Sequence, residues 1–204
     1  MVREAVVLAS DNAGKLRELR ALLAEVGLAL VSQGALGVSA AVETGATFVE
    51  NALLKARHAA RESGRAALAD DSGLEVDWLH GAPGVHSARF AGEGADDARN
   101  NLKLLALLRD VPAAQRSARF RCVLVYLESA ADPAPLICEG VWEGRILERP
   151  RGAHGFGYDP LFLIPELGRT AAELMVAEKN ALSHRGRALR ALLPKLRVRV
   201  AAKC

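Results

Sequence analysis

The chain has 204 residues, room for one large domain or two small ones. Half of them are apolar and a quarter charged, which excludes a disordered chain and supplies a sizeable core. A net charge of +3, with basic residues dispersed and few aromatics, argues against a nucleic-acid-binding module.

The three cysteines, Cys122, Cys138 and Cys204, are too few and too scattered for a disulfide framework or a zinc site. Cys122 and Cys138 lie in apolar runs and are expected as buried free thiols. No signal-peptide pattern and no apolar run of membrane-spanning length is visible, so a cytoplasmic setting away from membranes is expected.

The chain opens on an apolar strand, Ala5 to Ala9, followed by a small polar turn, Ser10-Asp11-Asn12-Ala13-Gly14-Lys15. A helical pattern starts at Leu16. A strand running through a tight turn into a helix makes an anion site, because first-turn amides and the helix dipole both favour negative charge. Lys15 would add a full charge and Gly14 a close backbone approach. The alternative is an ordinary connection capped by Ser10 or Asn12. It is not a P-loop: residue 9 is Ala, and Leu16 follows the lysine where a hydroxyl is required.

Gly27 should end the first helix, and Leu28 to Ser32 reads as a second strand. Thr47 and Glu50 fit a capping box for a helix running to about Glu62, ended by Ser63-Gly64. That helix sets Ala52, Lys55 and Ala59 near one face. Lys55 is either a snorkelling surface residue or a phosphate contact. Ala66 to Ala69 is a short strand ending in Asp70-Asp71-Ser72-Gly73, and Leu74 to Trp78 alternates like another strand. Gly81-Ala82-Pro83-Gly84 is a turn. A loop through Arg89 and Phe90 leads to a helix from about Asp96 to Arg109.

Ala118 to Leu127 and Leu136 to Leu147 read as a hairpin joined by Asp132-Pro133-Ala134-Pro135. Gly140 and Gly144 there suggest bulges or close backbone approach. A glycine-rich loop, Arg151 to Pro160, precedes a short strand, Leu161 to Ile164. Thr170 and Glu173 form a second candidate capping box. A last helix is expected from His184 to Leu193, capped by Ser183. Alternating strands and helices followed by a hairpin predict an α/β fold with a mixed sheet. Trp78 and Trp142 are both placed in the core.

Four places stand out chemically. Adjacent carboxylates at the end of a buried strand are costly unless paired, solvated or on a metal. Successive strand residues face opposite ways, so one of Asp70 and Asp71 faces a site, and Asp71 is the better candidate for Mg²⁺ or for activating a water. Glu43 and Glu50 are further carboxylates, with Glu50 better read as a cap. In Gly155-Phe156-Gly157-Tyr158-Asp159, Phe156 is set to stack on a base, with neighbouring backbone amides available to read its edge; a tight turn with two core aromatics is the alternative. Lys179, His184 and Arg185 put basic groups at a helix start, against the dipole. A ligand explains that conflict better than stability does. Together these supply what a nucleoside triphosphate uses.

The ordered set resembles the inosine triphosphate pyrophosphatases, also called dITP/XTP pyrophosphatases. The matching pieces are the 10–15 turn, Glu43-Thr44-Gly45, Thr47 to Ala52, Lys55-Ala56-Arg57, Ala69 to Leu74, Gly81 to Gly84, Ser87-Ala88-Arg89, Gly155 to Pro160, Glu178-Lys179-Asn180 and Ser183 to Gly186. The resemblance implies hydrolysis of ITP, dITP and XTP to the monophosphate and pyrophosphate with Mg²⁺. It also implies a homodimer and a two-lobed single domain, residues 1–204, built on a long mixed sheet with flanking helices and a central cleft.

By position, Ser10, Asp11, Asn12, Ala13, Gly14 and Lys15 would hold the triphosphate. Asp71 would be general base and metal ligand, Ser72 and Lys55 substrate contacts. Phe156, Gly157, Tyr158 and Asp159 would hold the base, with Lys179, His184 and Arg185 completing the site and the last two reading the 6-oxo group. Many members carry a Glu pair before Thr-Gly, and here Val42 replaces the first. Asp11 stands where Gly is frequent, so its carboxylate must point away or help hold the metal. A Maf-like pyrophosphatase with another base preference and a non-catalytic nucleotide-binding protein are the competing readings.

Overall fold

The computed structural model describes residues 5–24 and 28–201. The expected stop at Gly27 and the thiol of Cys204 lie outside the described residues. In chain order the elements are β1 (Val6–Leu8), α1 (Ala13–Ala24), β2 (Leu30–Ser32), α2 (Phe48–Ser63), β3 (Ala67–Val76), α3 (Asp97–Leu107), β4 (Ser117–Leu127), β5 (Leu136–Ile146), β6 (Phe162–Ile164), β7 (Arg169–Thr170), α4 (Val176–Leu182) and α5 (His184–Ala201).

The fold is α/β. Seven strands form one mixed sheet in the order β2-β1-β3-β4-β5-β6-β7. β1 runs parallel to both its neighbours, with Val7 opposite Val31 on one side and Ala67 on the other. β5, β6 and β7 pair antiparallel. None of the described helices is long and apolar enough to cross a membrane.

The chain divides into two compact units, each with its own core. The first takes the described residues up to Asp71, then Cys122–Gly140 and those from Arg185 on; the second takes Ser72–Arg121 and Val141–His184. Val6, Leu8, Leu19, Leu23, Leu68, Leu124, Leu189 and Leu192 fill the first core. Leu74, Leu104, Leu108, Phe120, Trp142, Tyr158 and Phe162 fill the second. Each fully buried leucine contributes roughly 1.5–3 kcal/mol of transfer free energy.

α2 has the ends its sequence specifies. The Thr47 hydroxyl accepts the Glu50 amide and the Glu50 carboxylate accepts the amides of Ala46 and Thr47. Gly64 closes the helix at φ +66. Cys122 and Cys138 are buried free thiols. Gly144 is a close approach: a Cβ there would lie 2.5 Å from Phe162 Cζ and 2.6 Å from Leu163 O.

Several expectations need correcting. α1 begins at Ala13, because Asn12 caps it by accepting the Lys15 amide at 3.0 Å, so half the supposed turn is already helix. The strands read at 66–69 and 74–78 are one, since β3 runs unbroken through Asp70-Asp71-Ser72-Gly73. Trp78 lies beyond it in a 3₁₀ turn and is 49 % exposed, not core, whereas Trp142 is buried. The loop after Pro83 is partly a 3₁₀ turn, Gly84–Arg89. α4 was not foreseen. α5 runs through Pro194 to Ala201. Buried Leu189, Leu192 and Leu196 keep the same face in the core, and that packing outweighs a proline cost of about 3 kcal/mol.

Candidate active site

In the first unit, β1 delivers the chain to the α1 N-terminus. Ser10 Oγ accepts the Asn12 amide and Asn12 Oδ1 that of Lys15. The first amides of a helix have no acceptor within it, so those of Ala13 and Gly14 could take an anion. Asp11 points away from them: its carboxylate accepts from Gln33 Nε2 at 2.9 Å and from the Gly34 amide at 3.0 Å.

β3 brings the two aspartates to different partners. Asp70 is fully buried among Lys15 Nζ at 2.6 Å, Arg185 Nε at 2.7 Å and the Cys122 thiol at 3.2 Å. Burial alone would raise its pKa; Arg185 and then Lys15 outweigh it and hold the carboxyl well below its usual range. Arg185, itself buried, also pairs with Glu18 of α1. Its charge at the start of α5 is therefore answered by two carboxylates.

Asp71 gives Oδ1 to Lys55 Nζ at 2.5 Å. The same ammonium reaches Glu43 Oε1 at 2.9 Å. Burial raises the Asp71 pKa more than Lys55 lowers it. Lys55 itself is raised, its two carboxylates outweighing burial. Asp71 Oδ2 is buried with no hydrogen-bond partner among the described residues. Val42, which replaces the first glutamate of the pair the resembled family often carries, is 79 % exposed, and Glu43 is the residue that reaches the lysine. Glu50 is used by its cap.

In the second unit, Ser72 follows on β3. The 151–160 loop is built around Asp159, whose Oδ2 accepts the Phe156 amide at 2.9 Å and Lys179 Nζ at 2.5 Å. The lysine sits 4.8 Å from the centroid of the Phe156 ring. The Tyr158 hydroxyl donates to Ser87 O at 2.8 Å, and burial pushes its pKa up. The amides of Phe156 and Gly157, expected to read a base edge, instead donate to the carboxylates of Asp159 and Asp97. His184 stacks on Phe120, ring centroids 4.8 Å apart.

So the expected residues form two clusters, one in each unit. Ser10, Asn12, Ala13, Gly14, Lys15, Glu43, Lys55, Asp71 and Arg185 belong to the first, where Asp11 faces Gln33 and Gly34. Phe156, Asp159 and Lys179 come together in the second unit, which also holds Ser72, Gly157, Tyr158 and His184. Sequence reasoning missed Glu18, Asn51, Asp97 and Asn101. Asn51 was findable: it lies one helical turn before Lys55, and its Oδ1 accepts the Gly45 amide at 2.8 Å, fixing the segment that carries Glu43. The others hold residues distant in sequence and carry no local signal.

A protein-family model for the Ham1 family matches residues 6–195. The chain belongs to the Ham1 family. A dITP/XTP pyrophosphatase of Escherichia coli O157:H7 is 60 % identical over 192 residues, covering 94 % of this chain and 98 % of that protein. Among solved structures, a HAM1 protein from Coxiella burnetii superposes with a TM-score of 0.86 at 52 % identity, over 94 % of this chain and 98 % of the other. The Staphylococcus aureus Ham1 protein gives 0.83 at 36 % identity, over 96 % and 100 %. The resemblance read from the motifs is to this family.

Proposed function

We propose that this Ham1-family chain hydrolyses ITP, dITP and XTP to the monophosphate and pyrophosphate, clearing non-standard purine nucleotides. The observation that carries the reading is Asp71, a buried carboxylate with one oxygen on Lys55 and the other without a protein partner among the described residues. A burial-raised carboxylate suits a general base. Names of relatives at about 60 % identity support the substrate class.

Asp71 Oδ2 and Glu43 also suit a divalent cation. No group of three His, Cys, Asp or Glu fit for a metal exists among the described residues. A set that small matches Mg²⁺, which keeps several waters and takes few carboxylates. When bound, such a cation neutralises phosphate charge.

The α1 amides and Lys15 hold the triphosphate. Asp71 accepts a proton from a water whose oxygen bonds the α-phosphorus as the bridging P–O bond to the β-phosphorus breaks, and pyrophosphate leaves. Lys55 and Lys15 offset the charge that develops. Phe156 offers the base a flat surface, and Lys179 and His184 of the same unit are the donors for a 6-oxo oxygen, whereas Arg185 is already held by Asp70 and Glu18. Adenine would leave those donors unpaired, and a site built to hydrogen-bond a group discriminates strongly against its absence. The test is product analysis with ITP, dITP, XTP, GTP and ATP: pyrophosphate from the first three supports the proposal, and orthophosphate or no product from any of them overturns it.

A further inference from the structure

We infer that Asp97 and Asn101 of α3 are positioning residues for base selection, acting through the Gly157 peptide. The inference rests on reading the 156–159 loop as the base site. Asp97 Oδ2 accepts the Gly157 amide at 2.6 Å, and Asn101 Nδ2 donates to Gly157 O at 2.9 Å. The two residues are one helical turn apart, on one face of α3. Together they hold both polar groups of a single residue.

Neither contact is needed by the helix itself. Asp96 already caps α3, accepting the Arg99 amide at 2.8 Å. Asn101 Oδ1 is buried without a partner among the described residues. An unmet buried carbonyl costs stability, so the asparagine is poorly explained by the fold alone.

The loop needs such a hold. Phe156 is flanked by Gly155 at φ +80 and Gly157 at φ +63, two residues with wide backbone freedom. On one side Asp159 takes the Phe156 amide. On the other, α3 takes Gly157. Consecutive peptides are thus tied, one within the loop and one to α3, and the direction of the Phe156 ring is set before a ligand arrives. Releasing either tie spreads the ring over several orientations and weakens base contacts, while Lys15, Lys55 and Asp71 keep their own partners.

The experiment compares wild type with Asp97→Ala, Asp97→Asn and Asn101→Ala. It reads kcat and KM for ITP and GTP, and calorimetric binding of ITP and of inorganic tripolyphosphate. For both alanine variants the KM for ITP should rise about tenfold or more with kcat within about threefold. The preference for ITP over GTP should narrow, ITP binding should weaken by the same factor, and tripolyphosphate binding should hold. Asp97→Asn keeps an acceptor oxygen and should recover most of the loss. Unchanged KM and preference in the alanine variants would overturn the inference. So would equal weakening of ITP and tripolyphosphate, or an Asp97→Asn variant as impaired as Asp97→Ala. The two alanine variants lie at separate positions, so either alone supplies the reading if the other does not fold. If wild type binds ITP without releasing pyrophosphate, the proposed hydrolysis fails, and the two binding arms still decide the role of α3.

Discussion

Lys55 donates to Asp71 across 2.5 Å, and that contact lowers the Asp71 pKa against a larger rise from burial. The same ammonium also holds Glu43, so one cation stands between two acids. Lys55→Gln keeps two donors on a side chain one bond shorter but removes the charge. It should lower kcat by roughly 10²-fold, the usual loss for one stabilising donor, and destabilise the fold as well, because it takes the ammonium from a buried carboxylate. Steady-state kinetics with ITP and a urea melt check both; a near-normal kcat would contradict the placement of Lys55 at the reacting phosphate.

Arg185 tests how far this cluster is also structural. Its guanidinium is buried between Asp70 and Glu18. Arg185→Ala takes the guanidinium from buried Asp70 and from Glu18, so it should cost about 3–5 kcal/mol in chemical denaturation, the range for breaking a buried pair. A single ammonium cannot match the planar fork, so Arg185→Lys should recover only part of that. A loss below about 1 kcal/mol, the size of an exposed pair, would contradict the buried network.

How much of this was legible in the sequence depends on the range of the forces involved. The Thr47–Glu50 box, Gly64 and the Asn12 cap were readable because a cap and its partner lie within four residues. The unbroken β3 was not, because Ser72-Gly73 has the local chemistry of a turn, and only pairing within the sheet overrides it. The end of the last helix, expected at Leu193, was missed in the same way: Pro194 has a real local cost, and Leu192 and Leu196 offset it from a core the sequence does not display. At the site, Asp71, Lys55 and the Phe156 loop were each visible as unusual residues in place. The split of Asp70 to Lys15 and Arg185, and of Asp71 to Lys55, joins positions up to 115 residues apart and needed coordinates.

Asp132, read only as turn material, gives a pH prediction. Its carboxylate accepts the amides of Glu128 at 3.0 Å and Ala134 at 2.9 Å, and Arg199 of α5 at 3.2 Å. Burial raises its pKa, and these partners outweigh it, leaving the pKa below the ordinary 3.8. Between the native value and 3.8 the unfolded chain binds more protons than the folded one. The contribution is therefore complete above 3.8 and is lost as pH falls through the native value. Asp132→Ala should destabilise by about 1–3 kcal/mol at neutral pH. Denaturation across an acid series should show the gap to wild type closing below the ordinary carboxylate pKa; a constant gap would contradict the pairing.

Gly155→Ala addresses the base loop by steric means. Residue 155 sits at φ +80, and a Cβ there would collide with the Asp159 carboxylate. Asp159 must then release the Phe156 amide or Lys179. The KM for ITP should rise about tenfold or more while kcat changes little. An unchanged KM, with the melting temperature retained, would show that the Asp159 contacts do not set the substrate site.

The most direct measurement is pyrophosphate release from ITP with Mg²⁺ by wild type and by Asp71→Asn, alongside ITP binding by both. The account predicts rapid release by wild type, a loss of at least about 10²-fold in the variant, and retained binding, because the substitution removes a proton acceptor and leaves the shape. Release by Asp71→Asn at the wild-type rate would contradict the assignment of Asp71 as the base, and no release by wild type despite tight binding would contradict catalysis itself.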